Sequence, residues 1–117
     1  AMLLKRVDGS SRGVLGKASD TNGNESDLFT VEHGGKIKMN GSKLFQAITR
    51  LYPGIVQEAL DDARLNADDI DILVTHQSNG RFIDKIPKKT GIPEEKIVRT
   101  IDYLGNSSAA TVPTAYS

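Results

Sequence analysis

Two short apolar runs separated by a helix-length stretch constrain this chain more than anything else in it. Asp69-Ile70-Asp71-Ile72-Leu73-Val74-Thr75 and Lys96-Ile97-Val98-Arg99-Thr100-Ile101 have the length and β-branched content of buried strands. Residues 79–90 between them are enough for a helix. Strand, helix and strand in that order make a βαβ unit with a right-handed crossover, so the two strands run parallel and can be neighbours. Their carboxyl ends then share one edge of the sheet, roughly 5 Å apart if adjacent. Each run leads into a polar block, His76-Gln77-Ser78-Asn79-Gly80-Arg81 after the first and Gly105-Asn106-Ser107-Ser108-Ala109-Ala110 after the second. His76 and Asn106 are therefore expected over the edge where open α/β sheets place their ligands. Two polar side chains donating to one oxygen form a site for developing negative charge.

The clearest single element precedes this unit. Leu44, Phe45, Ile48, Leu51, Tyr52, Ile55, Val56, Ala59, Leu60 and Ala63 recur at three- and four-residue steps. Asn40, Gly41 and Ser42 supply start signals and Asn66 a stop. Pro53 interrupts the pattern without shifting its phase, which predicts one kinked helix or two that abut. Residues 2–6 and 12–17 read as strands separated by a turn at 8–11, residues 19–27 as a surface loop, and 29–38, broken by Gly34-Gly35, as irregular. Pro93 suits the start of a short helical piece, and residues 107–115 have the composition of another helix start. The chain opens on an apolar run and closes two turns into that last helix, so both ends are expected to be cuts through a larger fold.

Composition enters by what it excludes. Fifteen basic residues balance fifteen acidic ones, so net charge points to neither nucleic acid nor a membrane surface. No apolar run reaches the length of a membrane span. There is no cysteine, hence no disulfide, thiolate metal site or cysteine nucleophile in this sequence. His33 and His76 are the only imidazoles, and without a supporting carboxylate cluster no metal site is expected. The reading is one soluble, cytoplasmic domain.

The polar blocks carry a resemblance. His76-Gln77-Ser78-Asn79-Gly80-Arg81 is similar to the His-Gln-Ala-Asn-x-Arg motif of the 3-oxoacyl-[acyl-carrier-protein] synthase III family. Asp102-Tyr103-Leu104-Gly105-Asn106-Ser107-Ser108-Ala109-Ala110-Thr111-Val112-Pro113 resembles that family's Gly-Asn-Thr-Ser-Ala-Ala-Ser-Ile-Pro segment, in order and at the expected separation. Met39-Asn40-Gly41-Ser42-Lys43-Leu44-Phe45 and Gly91-Ile92-Pro93-Glu94-Glu95-Lys96 also fit, so the likeness runs from Lys38 to Pro113 and is looser before it.

The resemblance implies an α/β, thiolase-like fold: most of the second of two similar halves, a βαβαβ-type mixed sheet with packed helices, truncated at both ends. Residues 1–117 would be that incomplete domain, with strands and loops over 1–37 and the motif-bearing core over 38–117. It implies an acyltransferase of fatty-acid biosynthesis, joining an acyl-CoA starter to malonyl-acyl-carrier protein by decarboxylative Claisen condensation. No cofactor beyond those substrates is implied, and the parent would be a homodimer. The family's nucleophilic cysteine belongs to the other half, so this chain supplies the histidine and asparagine of a Cys-His-Asn triad and is expected to be inactive alone.

On this reading His76, as a neutral imidazole with its proton on Nε2, and Asn106 donate to the enolate oxygen. Asn79 and Ser42 lie along the pantetheine arm of the substrate, and Asn79 also suits the cap of the following helix. Arg81, Lys85, Lys88 and Lys89 form the docking face for acidic acyl carrier protein; residues 81–99 hold six basic against three acidic side chains. Gln77 and Ser78 are scaffold. The sequence departs from the family at Pro87, which would remove a hydrogen bond, crowd Ile83 and bend the basic face of its helix, and at Gly80, Ser42 and Leu104 near the substrate path. Two alternatives stand beside this reading: a synthase III-like enzyme of secondary metabolism, and a non-catalytic subunit that only binds carrier protein.

Overall fold

A computed structural model describes residues 13–116; the expected strand at 2–6 and turn at 8–11 lie outside the described residues. β1 (Phe29–Val31) and β2 (Ile37–Met39) pair antiparallel, with Phe29 opposite Met39 and Val31 opposite Ile37. The glycine-broken stretch expected to be irregular is thus a hairpin. Its turn is the Gly34-Gly35 pair: Gly34 takes a left-handed φ of 68°, and Gly35 N–H donates to the Glu32 carbonyl at 2.8 Å.

α1 (Gly41–Ala63) follows directly. The Asn40 side chain accepts the Lys43 N–H at 3.1 Å, which caps the first turn. Arg64, in the left-handed region at φ 58°, ends the helix, with its N–H returned to the Asp61 and Leu60 carbonyls. Pro53 is carried inside this one helix and does not mark a junction of two. Residues 13–17, expected to be a strand, have no strand pairing and lie against α1. A Cβ at Gly16 would stand 2.4 Å from the Ala59 carbonyl oxygen and 2.6 Å from Ala63 N, while Lys17 N–H donates to Asp62 Oδ2 at 2.9 Å. Gly16→Ala is accordingly expected to cost about 1–3 kcal/mol in chemical denaturation, the range for overpacking against atoms that cannot give way. An unchanged midpoint would show that the segment does not rest on the helix.

The parallel pair is present but short. Leu73 and Ile97 form a parallel bridge, with Leu73 N–H donating to Lys96 O at 2.7 Å and Val98 N–H to Leu73 O at 3.0 Å. Among the described residues the pairing of these two segments is confined to that bridge. Past it, the side chain of Gln77 substitutes for a backbone ladder. Its Nε2 donates to the Thr75 and Val98 carbonyls at 3.1 and 3.0 Å, and its Oε1 accepts the N–H groups of Thr100 and Ile101 at 2.9 and 3.1 Å. Every donor and acceptor of that amide is used, on a residue that is 0% exposed. Ile72, read as part of a buried strand, is 57% exposed, because the helices cover only one face of its segment.

The helix expected over 79–90 is two. α2 (Gly80–Ile83) and α3 (Ile86–Thr90) are separated at Asp84 and Lys85, and Pro87 falls in the first turn of α3. There its missing N–H would have had no intrahelical partner, so the break removes the conflict that a proline at mid-helix creates. α4 (Ile101–Leu104) begins where the second run was expected to end as a strand, and α5 (Thr111–Tyr116) starts as expected.

Phe82, Ile83 and Ile86 form the buried cluster that holds these pieces together, packed against Phe45 and Tyr52 of α1 and against Leu73, Ile97 and Ile101. Tyr52 and Phe82 meet edge to face with centroids 5.1 Å apart. Burial pushes the Tyr52 phenol above its ordinary pKa, and its hydrogen bond with Thr75 opposes that shift. Phe82 of this cluster also lines the cleft that holds Ser78, Asn79 and Asn106.

Candidate active site

His76 leaves the sheet one residue after the buried Thr75. Its Nδ1 lies 2.5 Å from Thr111 Oγ1, and Thr111 Oγ1 in turn donates to the Ser108 carbonyl at 2.8 Å. On the other side of the same residue, Ser108 N–H donates to Asn106 Oδ1 at 2.9 Å. His76 and Asn106, thirty residues apart in sequence, are therefore tied to the two ends of one residue, Ser108. Ser108 adopts φ 54°, a left-handed conformation that a serine takes at a cost of about 1–3 kcal/mol and that clusters at functional turns. Gly105, also at positive φ, sets up the approach to it.

These bonds decide which atoms remain available. Only an acceptor can receive the Ser108 N–H, so Oδ1 is the Asn106 atom engaged, and the Nδ2 amide is left to donate outward. The Thr111 hydroxyl stands between two partners, the Ser108 carbonyl and His76 Nδ1, and its role toward the ring nitrogen follows the ring's tautomer.

Asn79 caps α2, its Oδ1 accepting the Arg81 N–H at 2.9 Å. Together with Ser78 and Asn106 it lines a cleft of about 150 Å³ whose apolar wall comes from Met39, Leu44, Phe45, Ile48 and Phe82. The structure brings Asn79 and Asn106 into this cleft. His76 is linked to it through the Thr111–Ser108 chain and is not part of its lining. Ser42, expected beside the substrate, is exposed on the first turn of α1 and stands outside the lining, while its neighbours Gly41 and Leu44 are in it.

The break at Asp84–Lys85 divides the basic face. Arg81 is on α2, Lys88 and Lys89 are on α3, and Lys85 sits at the junction with its ammonium 4.8 Å above the Phe45 ring. Arg99 is ion-paired at 2.5 Å with both Asp84 and Asp102. Those two carboxylates hold its guanidinium still more firmly in the charged form, and Arg99 lowers the Asp102 carboxyl below its usual range. Lys96 donates to the Asp68 carbonyl. The Arg99 charge is thus matched by carboxylates while the neutral carbonyl leaves that of Lys96 in place, so the positive character of 81–99 rests on Arg81, Lys85, Lys88, Lys89 and Lys96. Gly80 faces Arg99: a Cβ there would lie 3.0 Å from Arg99 Nη2, so the small residue makes room for that guanidinium.

Thr111 and Ser108 escaped sequence reading. The only signal was a hydroxyl three residues after a serine at a helix start, and nothing in it names a histidine 35 residues upstream. Among the described residues no three His, Cys, Asp or Glu side chains cluster as a metal site would require, and no helix is long and apolar enough to cross a membrane.

Residues 60–117 match the family described as 3-oxoacyl-[acyl-carrier-protein (ACP)] synthase III C terminal. The chain is 38% identical over 123 residues to the beta-ketoacyl-[acyl-carrier-protein] synthase III of Rhizorhabdus wittichii, covering 98% of this chain and 38% of that protein. It is 36% identical over 125 residues to the same-named protein of Erythrobacter litoralis, covering 99% and 39%. The chain thus spans about two fifths of the length of the curated relatives it matches. Among solved structures, 3-oxoacyl-(acyl carrier protein) synthase III from Pseudomonas aeruginosa superposes with a TM-score of 0.85 at 27% identity, over 96% of this chain and 37% of that one. The synthase III of Aquifex aeolicus gives 0.82 at 30% identity, over 88% and 33%. The expected thiolase-like fold is the one this chain has, present here as a small mixed helix and strand piece with a two-stranded sheet.

Proposed function

Because the chain belongs to the 3-oxoacyl-[acyl-carrier-protein] synthase III family, we propose that it carries the enolate-stabilising side of a decarboxylating acyltransferase. In the proposed reaction the malonyl thioester loses CO₂, and the electron pair of the broken C–C bond moves onto the thioester oxygen. The enolate carbon then attacks an acyl group held as a thioester on cysteine, releasing the thiolate and leaving a 3-oxoacyl thioester. Asn106 donates through Nδ2 to the developing oxygen charge, and His76, as a neutral imidazole with its proton on Nε2, donates a second hydrogen bond to the same oxygen. Preorganised donors of this kind act at the moment charge develops and need no reorganisation. The observation that carries this reading is the shared anchoring of His76 and Asn106 on Ser108.

The nucleophile is not in this sequence, which has no cysteine; on this reading it comes from the remaining length of a complete synthase, and this chain alone condenses nothing. The cleft beside Asn79 and Asn106, with one apolar wall and a polar mouth, suits the arm of a carrier-bound thioester. Carrier protein docks at Arg81, Lys85, Lys88 and Lys89, and the acyl-CoA starter enters by the same mouth.

The test is a complete synthase containing this sequence, supplied with acyl-CoA and malonyl-carrier protein and assayed for CO₂ and 3-oxoacyl-carrier product. Arg81→Glu should raise KM for the carrier-bound substrate roughly 3- to 10-fold at low salt, with the difference shrinking as salt rises. It should spare the half-reaction with CoA alone. No CO₂ from the unaltered enzyme would defeat the functional reading, and equal effects on both half-reactions would defeat the docking assignment.

A further inference from the structure

We infer that Ser78 is a substrate-binding residue of the cleft: its hydroxyl oxygen accepts the N–H of the amide nearest the thioester on the substrate's arm. Gln77 beside it is scaffold, with every donor and acceptor of its amide committed to the backbone. Ser78, expected to be the same, is not. It is half-buried and lines the cleft with Asn79 and Asn106, yet its hydroxyl has no hydrogen bond among the described residues and is open to solvent.

The other polar side chains of the cleft narrow its role. Asn79 Oδ1 already holds the Arg81 N–H, and Asn106 Oδ1 holds the Ser108 N–H. Both asparagines therefore meet a ligand chiefly as Nδ2 donors. An amide in the arm brings a carbonyl, which such donors serve, and an N–H, which they do not. Among the side chains lining the cleft, Ser78 Oγ is the acceptor that carries no backbone N–H. An arm that fills the cleft displaces the water on that hydroxyl, and a hydroxyl stripped of water weakens binding unless the ligand supplies a partner. The amide N–H is that partner, while the apolar wall of the same cleft suits the methylene groups on either side of it.

Substrate binding by Ser78 rests on the function proposed above, and one experiment separates the two. A complete synthase containing this sequence, saturated with acyl-CoA, is given the malonyl thioester of N-acetylcysteamine or that of 2-mercaptoethyl acetate, and CO₂ release is followed. The second compound puts an ester oxygen where the first has its amide N–H. The unaltered enzyme should favour the amide by about 2–10-fold in kcat/KM, the worth of one neutral hydrogen bond. The difference should lie in KM and not in kcat, because the contact is made equally before and during the reaction. Ser78→Ala should remove most of that preference, and Ser78→Thr, which keeps the hydroxyl, should retain most of it. Alanine is the residue of the motif this block resembles, so the Ser78→Ala variant is expected to fold. A preference that persists in full in Ser78→Ala, or none in the unaltered enzyme, would overturn the inference while CO₂ release upholds the functional reading. A lower KM for both thioesters in Ser78→Ala would overturn it too, since the hydroxyl would then be stripped of water without gaining a partner. No CO₂ from either thioester with the unaltered enzyme would defeat the functional reading and the inference with it.

Discussion

Replacing His76 by alanine in a complete synthase is expected to slow malonyl-thioester decarboxylation on the order of 10²–10³-fold, the usual consequence of losing one preorganised donor to a developing oxyanion. Acylation of the cysteine should change little, since transfer of the acyl group from CoA develops its charge on a different oxygen. The asymmetry between the two half-reactions is what distinguishes an enolate donor from a residue that merely supports the fold. Stability should be nearly unaffected, because the His76 side chain is exposed and its one recorded hydrogen bond is to a hydroxyl that keeps its carbonyl partner. The readout is burst acylation beside release of labelled CO₂. Equal loss in both half-reactions, or none in either, would count against the assignment.

Gln77→Leu should do the opposite, sparing no activity because it spares little structure. The substitution roughly conserves volume but leaves two backbone N–H groups, of Thr100 and Ile101, and two carbonyls, of Thr75 and Val98, without their partner. Each buried donor so stranded costs about 1–3 kcal/mol. The two donors alone therefore cost roughly 2–6 kcal/mol, against a total stability of about 5–15 kcal/mol for an ordinary domain. Gln77→Glu is the sharper control: the carboxylate still accepts the two N–H groups but sets a charged oxygen against two carbonyls. Both variants should lower the midpoint of chemical denaturation strongly. A loss under about 1 kcal/mol would mean that water replaces the amide and that Gln77 is no clamp.

Gln77 also shows how the sequence and the fold part company. The two apolar runs announced a parallel pair, and Leu73 does bridge Ile97 in parallel. The runs did not announce that a side chain would take over the ladder after one bridge, because an amide's reach across strands leaves no periodic trace. α1 was legible because ten apolar positions repeat at helical spacing over its whole length, a signal strong enough to carry Pro53 within it. The hairpin was not, for the converse reason: its strands are three residues each and β2 is exposed throughout, so there is no alternation to see.

Pro87 was read correctly as a conflict, and the chain answers it by ending α2 early and placing the proline in the first turn of α3. The strand expected at 12–17 fails in its described part, because Gly16 is needed for close contact with α1 and not for extension. Near the site, the local motifs singled out His76, Asn79 and Asn106. Asn79 and Asn106 do share a cleft, and Ser42 does not join them. The parts that orient the site were hidden. Ser108 gives no sign in its identity that its backbone turns left-handed, and the bond from Thr111 to His76 spans 35 positions.

The most direct test of the central claim is a crystal structure of the complete synthase bound to a non-reactive malonyl thioester analogue. His76 Nε2 and Asn106 Nδ2 should both lie about 2.7–3.1 Å from the same thioester oxygen, with Ser108 still holding the two residues from behind. A complex in which only one of them reaches that oxygen, or in which they contact different groups of the ligand, would contradict it.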